Sequence, residues 1–437
     1  MKNPNILVLF SDQQRWDTLG CCNSSIDFTP NIDRLAAEGL RCGNAFTCQP
    51  VCCPARACLQ TGLYATQTGC YRNGIPLTLP QGVPTLAEQF RQNGYETAYI
   101  GKWHLSNTGA QPVPAALRGG YRDHWLAVDT LEFSSTGVSG GFMFDGDGRR
   151  VEFGGYRVDT QTDLVLDYLQ NRDSNKPFFL FVSYLEPHHQ NDAGHYQGPE
   201  GSKEKYAHYP VPEDLRQLGG GDWAEEYPDY LGCCASLDEN VGRIVDTLKA
   251  LGVYENTLIA YTSDHGSHFK TRNGEYKRCC HDGCTHIPMI LRGPGFTGGT
   301  ATDEMVSLVD LPITLLHAGG IAAPRGIQGN PLQRLANGET EDWPEDVFIQ
   351  ISETHVGRAL RTKKWKYAVK GLRRNGWLHA DAKAYKEEFL YDLENDPHEL
   401  RNLVRRAGYD EVRAGLRARL LERMVEAGEQ APVIKGI

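Results

Sequence analysis

Apolar residues along this chain fall into two patterns. The opening run Asn5-Ile6-Leu7-Val8-Leu9-Phe10 is apolar without alternation, which predicts a central strand of a parallel sheet, covered on both faces. Similar runs predict strands over 96–101, 177–185 and 256–262. Between them, apolar positions at helical spacing predict a helix over 29–39, with Thr29 at its cap, Pro30 in its first turn and Gly39 closing it. Another is predicted after Thr85, and a longer one over 230–251. The predicted strands run into polar residues able to do chemistry: Asp12, Lys102 with His104, His188, and Asp264 with His265. Strand, polar end and helix repeated in this way specify an open α/β sheet whose ligand sits beyond the carboxyl ends of the strands.

Past residue 340 the pattern changes to short strands around 365–369 and a charged helix over 410–426. The expected organisation is an α/β catalytic domain over 1–340, its mostly parallel sheet flanked by helices, and a smaller α+β subdomain over 341–437, a short antiparallel sheet plus a helix. The segment 194–221, rich in Gly, Pro and Tyr, is expected to frame a pocket entrance.

Composition narrows the function. At 437 residues the chain exceeds one ordinary core, and 40% hydrophobic with 23% charged residues is the make-up of a globular protein. A formal charge of −10 argues against wholesale nucleic-acid binding while leaving room for a local basic pocket that receives an anion. No stretch is long enough to span a bilayer, so no membrane partner is expected. The apolar run at 6–10 is too short for a signal sequence. A cytoplasmic location is expected, or a periplasmic or secreted one if a leader has been trimmed. The 13 cysteines are odd in number, include adjacent pairs and lack paired C-x-x-C spacing, which points to reduced, buried thiols. Oligomeric state is left open.

The segment Cys52-Cys53-Pro54-Ala55-Arg56, followed by Thr61-Gly62, resembles the sulfatase signature C-x-P-x-R with its T-G ending. Ala55 stands where members more often carry Ser. The resemblance implies an alkaline-phosphatase-like fold and conversion of Cys52, not Cys53, to formylglycine (3-oxoalanine) by a formylglycine-generating or radical maturation enzyme. Conversion makes chemical sense: a serine ester of sulfate is hard to release, whereas an aldehyde hydrate has one hydroxyl to attack sulfur and a second to expel sulfate by re-forming the carbonyl. Arg56 would hold the diol and compensate charge near the metal.

Asp12-Gln13 and Asp264-His265 resemble the family's two metal-binding pairs, which are more often Asp-Asp and Asp-Asn. They imply one divalent cation, Ca²⁺ first, with the imidazole moving preference somewhat towards Mn²⁺ and Mg²⁺ as a further candidate. Gly101-Lys102-Trp103-His104 is similar to the family's G-K-W-H element; Lys102 would bind sulfate and His104 would take the diol proton. Glu186-Pro187-His188 resembles a P-H element that places His188 as general acid, with His189 a solvated neighbour. Lys277, in register with Asp282-Gly283 and Ile287-Pro288, would pair with a sulfate oxygen and the leaving group. Asn73 is expected near the diol. The run from Leu390 to Leu403 is similar to the family's ending and is expected to dock the small domain.

A sulfate ester of a carbohydrate, as a small molecule or an oligosaccharide, is the expected substrate. Trp103, Trp125, Trp223 and Tyr196 are candidate sugar surfaces, and His355, Arg358 and Arg361 candidate contacts to substrate hydroxyl or carboxylate groups. A phosphonate monoester or phosphodiester hydrolase of the same superfamily is the alternative, sharing the Asp-Gln and Asp-His pairs. The Lys102-His104 element favours sulfate. An inert binding protein on the same scaffold would lack the nucleophile or a histidine, and both are present.

Overall fold

In the computed structural model, which describes residues 3–79, 83–173 and 175–436, Asn5–Ser11 is an interior strand of an eleven-stranded sheet. It pairs in parallel with Phe178–Ser183 on one side and Thr257–Ser263 on the other. Ile6, Val8 and Phe10 enter the core on one face of the sheet, and Leu7 and Leu9 the core on the opposite face. That two-sided burial is why the run shows no alternation. Beyond Phe178–Ser183 lie Glu96–Lys102 and His124–Val128, both parallel, then short antiparallel strands. Beyond Thr257–Ser263 lie Met289–Arg292, Leu40–Phe46 and Thr300–Ser307.

The helix after Thr85 spans Leu86–Gln92 and opens on a reciprocal box in which Thr85 accepts from the Glu88 N–H and Glu88 from the Thr85 N–H. The long helix begins earlier than its spacing suggested, at Trp223, and runs to Ala250. Thr29 precedes the helix Pro30–Glu38 but does not cap it: its hydroxyl accepts from the Gly20 N–H and donates to Asp33.

Segment 194–221 does not line the cavity that holds Cys52, although its residues 210–214 border a separate cavity beside Arg15 and Asp282. The segment forms the short helices Ser202–Tyr206 and Glu213–Arg216 and packs Tyr196, Tyr206 and Leu215 with Tyr227, Tyr230 and Phe269 in a cluster of its own.

A second, five-stranded sheet starts at Asp346 and is antiparallel except for its edge strand Val433–Lys435. The helix Asp410–Glu426 packs Leu416, Leu420 and Met424 into its core. The motif ending at Leu403 joins the two sheets: Glu399 Oε2 accepts the Asp282 N–H at 2.7 Å, Lys366 ion-pairs with Glu399 at 2.7 Å and with Asp282, and Arg361 pairs with Asp282 at 3.0 Å. All thirteen cysteines are free; Cys21 and Cys22 are half-buried and the rest buried. Among the described residues no helix is long and apolar enough to cross a membrane.

Candidate active site

Four parallel strands deliver their polar ends to one place. Asp12 follows Asn5–Ser11, Asp264 and His265 follow Thr257–Ser263, Lys102 ends Glu96–Lys102, and His188 lies just past Phe178–Ser183. Gly101 makes the approach possible: its φ is +117°, and a Cβ there would meet the Ser183 carbonyl oxygen at 2.0 Å. Cys52 is the first residue of the helix Cys52–Thr61, with Pro54 in the first turn, where no N–H is needed. Gly62 closes that helix in the left-handed conformation, donating to the Cys58 carbonyl at 2.7 Å. The signature thus sets position 52 at the positive end of a helix.

Around the Cys52 sulfur, Lys277 Nζ lies at 2.8 Å, His265 Nε2 at 3.3 Å and Asp12 Oδ1 at 3.4 Å. Asp12 Oδ2 is 2.9 Å from both Arg56 Nη2 and Lys102 Nζ. Arg56 is fixed further by donating to the Lys102 carbonyl and Ser183 Oγ. Burial would raise the Asp12 carboxyl, but Lys102, His188 and Arg56 outweigh it and hold Asp12 well below the usual range. Burial and the neighbouring Asp12 charge push Asp264 up to about 6. Burial would likewise raise the Cys52 thiol, yet Lys277, Lys102 and His265 pull it far down. Burial and Lys277 hold His188 below the ordinary imidazole range, and its Nδ1 lies 2.5 Å from the His189 carbonyl while Nε2 lies 3.2 Å from Lys277 Nζ.

The donors fit a divalent cation. Ligand atoms of Asp12, Cys52, Asp264 and His265 lie within 4.8 Å of one another. Asp264 Oδ2 is buried without a hydrogen-bond partner, with Arg56 Nη2 at 3.4 Å as an ion-pair neighbour. His265 Nδ1 is 2.9 Å from the Gly266 carbonyl, a bond that leaves Nε2 as the ligand nitrogen. Gln13 donates its amide nitrogen to Tyr196 Oη at 2.7 Å, which leaves its oxygen as the donor to a metal.

Gln13, His104 and Arg278 sit at φ of +68°, +57° and +71°, a region non-glycine residues occupy at a cost of about 1–3 kcal/mol each. Such positions cluster where the fold places side chains for chemistry. All three border a cavity of about 250 Å³ that also includes Cys52, His188 and Lys277. Its walls are dominated by polar groups.

Residues 4–321, more than half the chain, match the sulfatase family model, and residues 274–426 match that of the N-sulphoglucosamine sulphohydrolase C-terminal region. The chain belongs to the sulfatase family. It is a sulfuric ester hydrolase, and the family's chemistry calls for a metal ion and a formylglycine. This sulfatase is 28% identical to the uncharacterized sulfatase YidJ of Escherichia coli (strain K12) over 97% of this chain and 88% of that one. It is 25% identical to an N-acetylglucosamine-6-O-sulfatase of Bacteroides thetaiotaomicron over 93% of this chain and 84% of that one. Its fold is shared with a protein solved in complex with its substrate D-glucosamine-2-N,6-O-disulfate (TM-score 0.78, 24% identity, 99% of both chains). It is also shared with a phosphonate monoester hydrolase of Agrobacterium radiobacter (TM-score 0.69, 23% identity, 97% of this chain and 96% of that one).

Several expected contacts of the sulfatase fall elsewhere. Arg358 is buried in an ion pair with Glu429 at 2.7 Å and cannot reach a substrate. Arg358→Ala is expected to cost about 3–5 kcal/mol by stranding the Glu429 charge, with KM of the folded enzyme unchanged; thermal melting alongside kinetics checks this. His355 lies 3.4 Å from Glu388 in the second sheet and does not line the cavity, and Arg361 serves the Asp282 clamp. Trp103, Trp125 and Tyr196 are core residues, and Trp223 packs against the tyrosine cluster. His189 is buried, not solvated, against the rings of Tyr196 and Tyr276.

Asn73 does reach the site, where its Oδ1 accepts the Cys53 N–H at 3.2 Å, one of the free donors of the signature helix. Glu132 was not foreseen: it borders the cavity 3.3 Å from Lys102 Nζ, carried by a short turn with no motif around it. Glu353 was also missed, and it accepts from the Asn73 N–H at 2.7 Å and pairs with Arg278.

Proposed function

We propose that this sulfatase removes sulfate from a carbohydrate monoester, using an aldehyde made from Cys52. The carrying observation is the placement of Lys277 Nζ 2.8 Å from the Cys52 sulfur, with Asp12 and His265 on the same atom. When bound, the cation and the aldehyde hydrate supply positive charge at the sulfate oxygens and the nucleophilic oxygen, respectively. Asp12, Gln13, Asp264 and His265 would hold the cation. Their oxygens support Ca²⁺, and the His265 nitrogen is the group that would admit Mn²⁺.

The protein's own groups do the rest. Lys102, Lys277 and Arg56 form a fixed cationic wall that needs no reorganisation as charge moves to the bridging oxygen. His188 Nε2, its lone pair facing Lys277 Nζ 3.2 Å away, relays one proton from the Lys277 ammonium to the departing alcohol, and Lys277 regains its proton from solvent. His104, on the cavity wall, takes the proton whose loss releases sulfate.

The sugar reading is supported by the named substrates of the relatives and by an exposed indole linked to the cavity wall. Trp377 is 45% exposed, and the Arg72 guanidinium lies 5.8 Å from its ring centre. The adjacent Gly376 carbonyl accepts from the Glu353 N–H at 3.2 Å, linking that indole to Asn73 and Arg278 on the cavity wall. An exposed indole tied to the cavity wall through these bonds suits the apolar face of a sugar ring.

A panel of sulfated monosaccharides with an aryl sulfate control tests the reading, which fails if only the aryl ester turns over. Trp377→Ala is expected to raise KM for the preferred sugar sulfate about tenfold, or ~1.4 kcal/mol, with aryl sulfate unchanged. Equal losses on both substrates would make Trp377 structural. Gln13 and His265 keep phosphonate monoesters as a second reading, separated by rates on aryl sulfate and aryl phosphonate.

A further inference from the structure

Behind the loop that carries Lys277 is a second set of metal-ligating groups. His268, Cys279 and Cys284 are all buried and present ligand atoms within 4.8 Å of one another. The two sulfurs are 3.6 Å apart. A disulfide would hold them at about 2 Å, whereas two thiolates about 2.3 Å from a shared tetrahedral ion lie about 3.8 Å apart. His281 is beside them in sequence, 4% exposed, with Nδ1 buried and without a hydrogen-bond partner. Its Nε2 is 3.1 Å from Tyr391 Oη; His268 Nε2 is 3.3 Å from the Lys277 carbonyl, and its Nδ1 has only a long contact, 3.4 Å, from the Arg272 N–H, which a metal at Nδ1 would replace. Outer contacts of that kind fix the tautomer and orientation of metal-bound imidazoles. The spacing is C-x-H-x-x-C with a histidine upstream, a pattern missed when paired C-x-x-C sets are sought.

We propose that His268, Cys279 and Cys284, completed by His281, form a structural site for a soft divalent cation of the zinc class, distinct from the Asp12 and Asp264 centre. Binding releases the two thiol protons to solvent and leaves a neutral dithiolate complex in a buried setting. The site would brace the active-site loop from behind. The Gly266 N–H, next to His265, donates to the Cys284 carbonyl at 2.7 Å, and Cys279 follows Lys277 by two residues in the chain. This inference stands apart from the sulfatase mechanism and does not need position 52 to be converted.

The test uses full-length Cys52→Ala protein, reduced and stripped with chelator, so that the catalytic pocket has no sulfur. Titration with Co²⁺ alone is expected to give a thiolate-to-cobalt charge-transfer band with tetrahedral visible bands, complete by two equivalents because the Asp12 and Asp264 centre also takes cobalt, and displaced by Zn²⁺. Adding Cys279→Ser and Cys284→Ser should abolish the band. Should that variant not fold, His268→Asn in the same background is expected to weaken cobalt binding at least tenfold while keeping the fold, read by circular dichroism. Absence of the band from folded Cys52→Ala protein, its persistence in a folded double-serine variant, or unchanged cobalt affinity in folded His268→Asn would each overturn the site. A Cys279–Cys284 disulfide persisting in the reduced sample would do the same.

Discussion

Cys52→Ala is expected to lower sulfate-ester turnover by about 10⁴-fold or more, the scale on which loss of a nucleophile is felt, while the protein melts as before. The two halves of this expectation have separate origins. Activity falls because the other groups in the cavity stabilise charge but offer sulfur no equivalent nucleophile. Stability holds because alanine suits the first turn of Cys52–Thr61, and the change removes one atom from a polar cavity wall, for which about 1 kcal/mol or less is expected. Kinetics on an aryl sulfate and a thermal melt measure both. Unmatured wild-type protein should be equally inactive, so the fraction converted at position 52 must accompany every rate. Retained activity in the alanine variant would remove position 52 from the chemistry.

Asp12→Asn is the second large effect, and it strikes stability as well as turnover. Asp12 Oδ2 balances Arg56 and Lys102, both at 2.9 Å and both buried. Removing the carboxylate charge leaves two buried cations short of a partner, at an expected cost of about 3–5 kcal/mol. It also removes a metal donor, so the bound cation and activity should be lost together, the latter by about 10³-fold or more. Metal analysis after dialysis, kinetics and denaturant unfolding cover the three readouts. Because Asp12 is held below the ordinary carboxylate range, its stabilisation is present above about pH 4 and is lost as pH falls through its native value. The stability gap between wild type and Asp12→Asn should therefore shrink in acid. A variant that keeps its full cation content would place the metal elsewhere.

The sequence made the strand-end chemistry legible because continuous apolar runs and short motifs are local signals. Asn5–Ser11 and Thr257–Ser263 fell where their patterns put them, and the groups that follow them, Asp12, Asp264 and His265, meet Cys52 and Arg56 of the signature in one pocket. What stayed hidden was pairing over long sequence distances. Arg358 looked available until Glu429 closed on it, and Glu132 reaches Lys102 from a turn without any pattern. Aromatic residues misled for a related reason. Trp103 sits between Lys102 and His104 in sequence but, like Trp125, packs into the sheet's core, whereas exposed Trp377 lies in the second sheet's region and is tied to the cavity wall only through Gly376 and Glu353.

The most direct test of a nucleophile at position 52 is single-turnover labelling of Cys52→Ser. A serine hydroxyl can attack sulfur but has no second hydroxyl with which to expel sulfate. Incubated with an aryl sulfate, the variant is expected to release at most one equivalent of phenol and to accumulate a peptide containing residue 52 that is heavier by one sulfuryl group. Steady turnover without that label, or a sulfuryl group fixed on any other residue, would contradict attack from position 52.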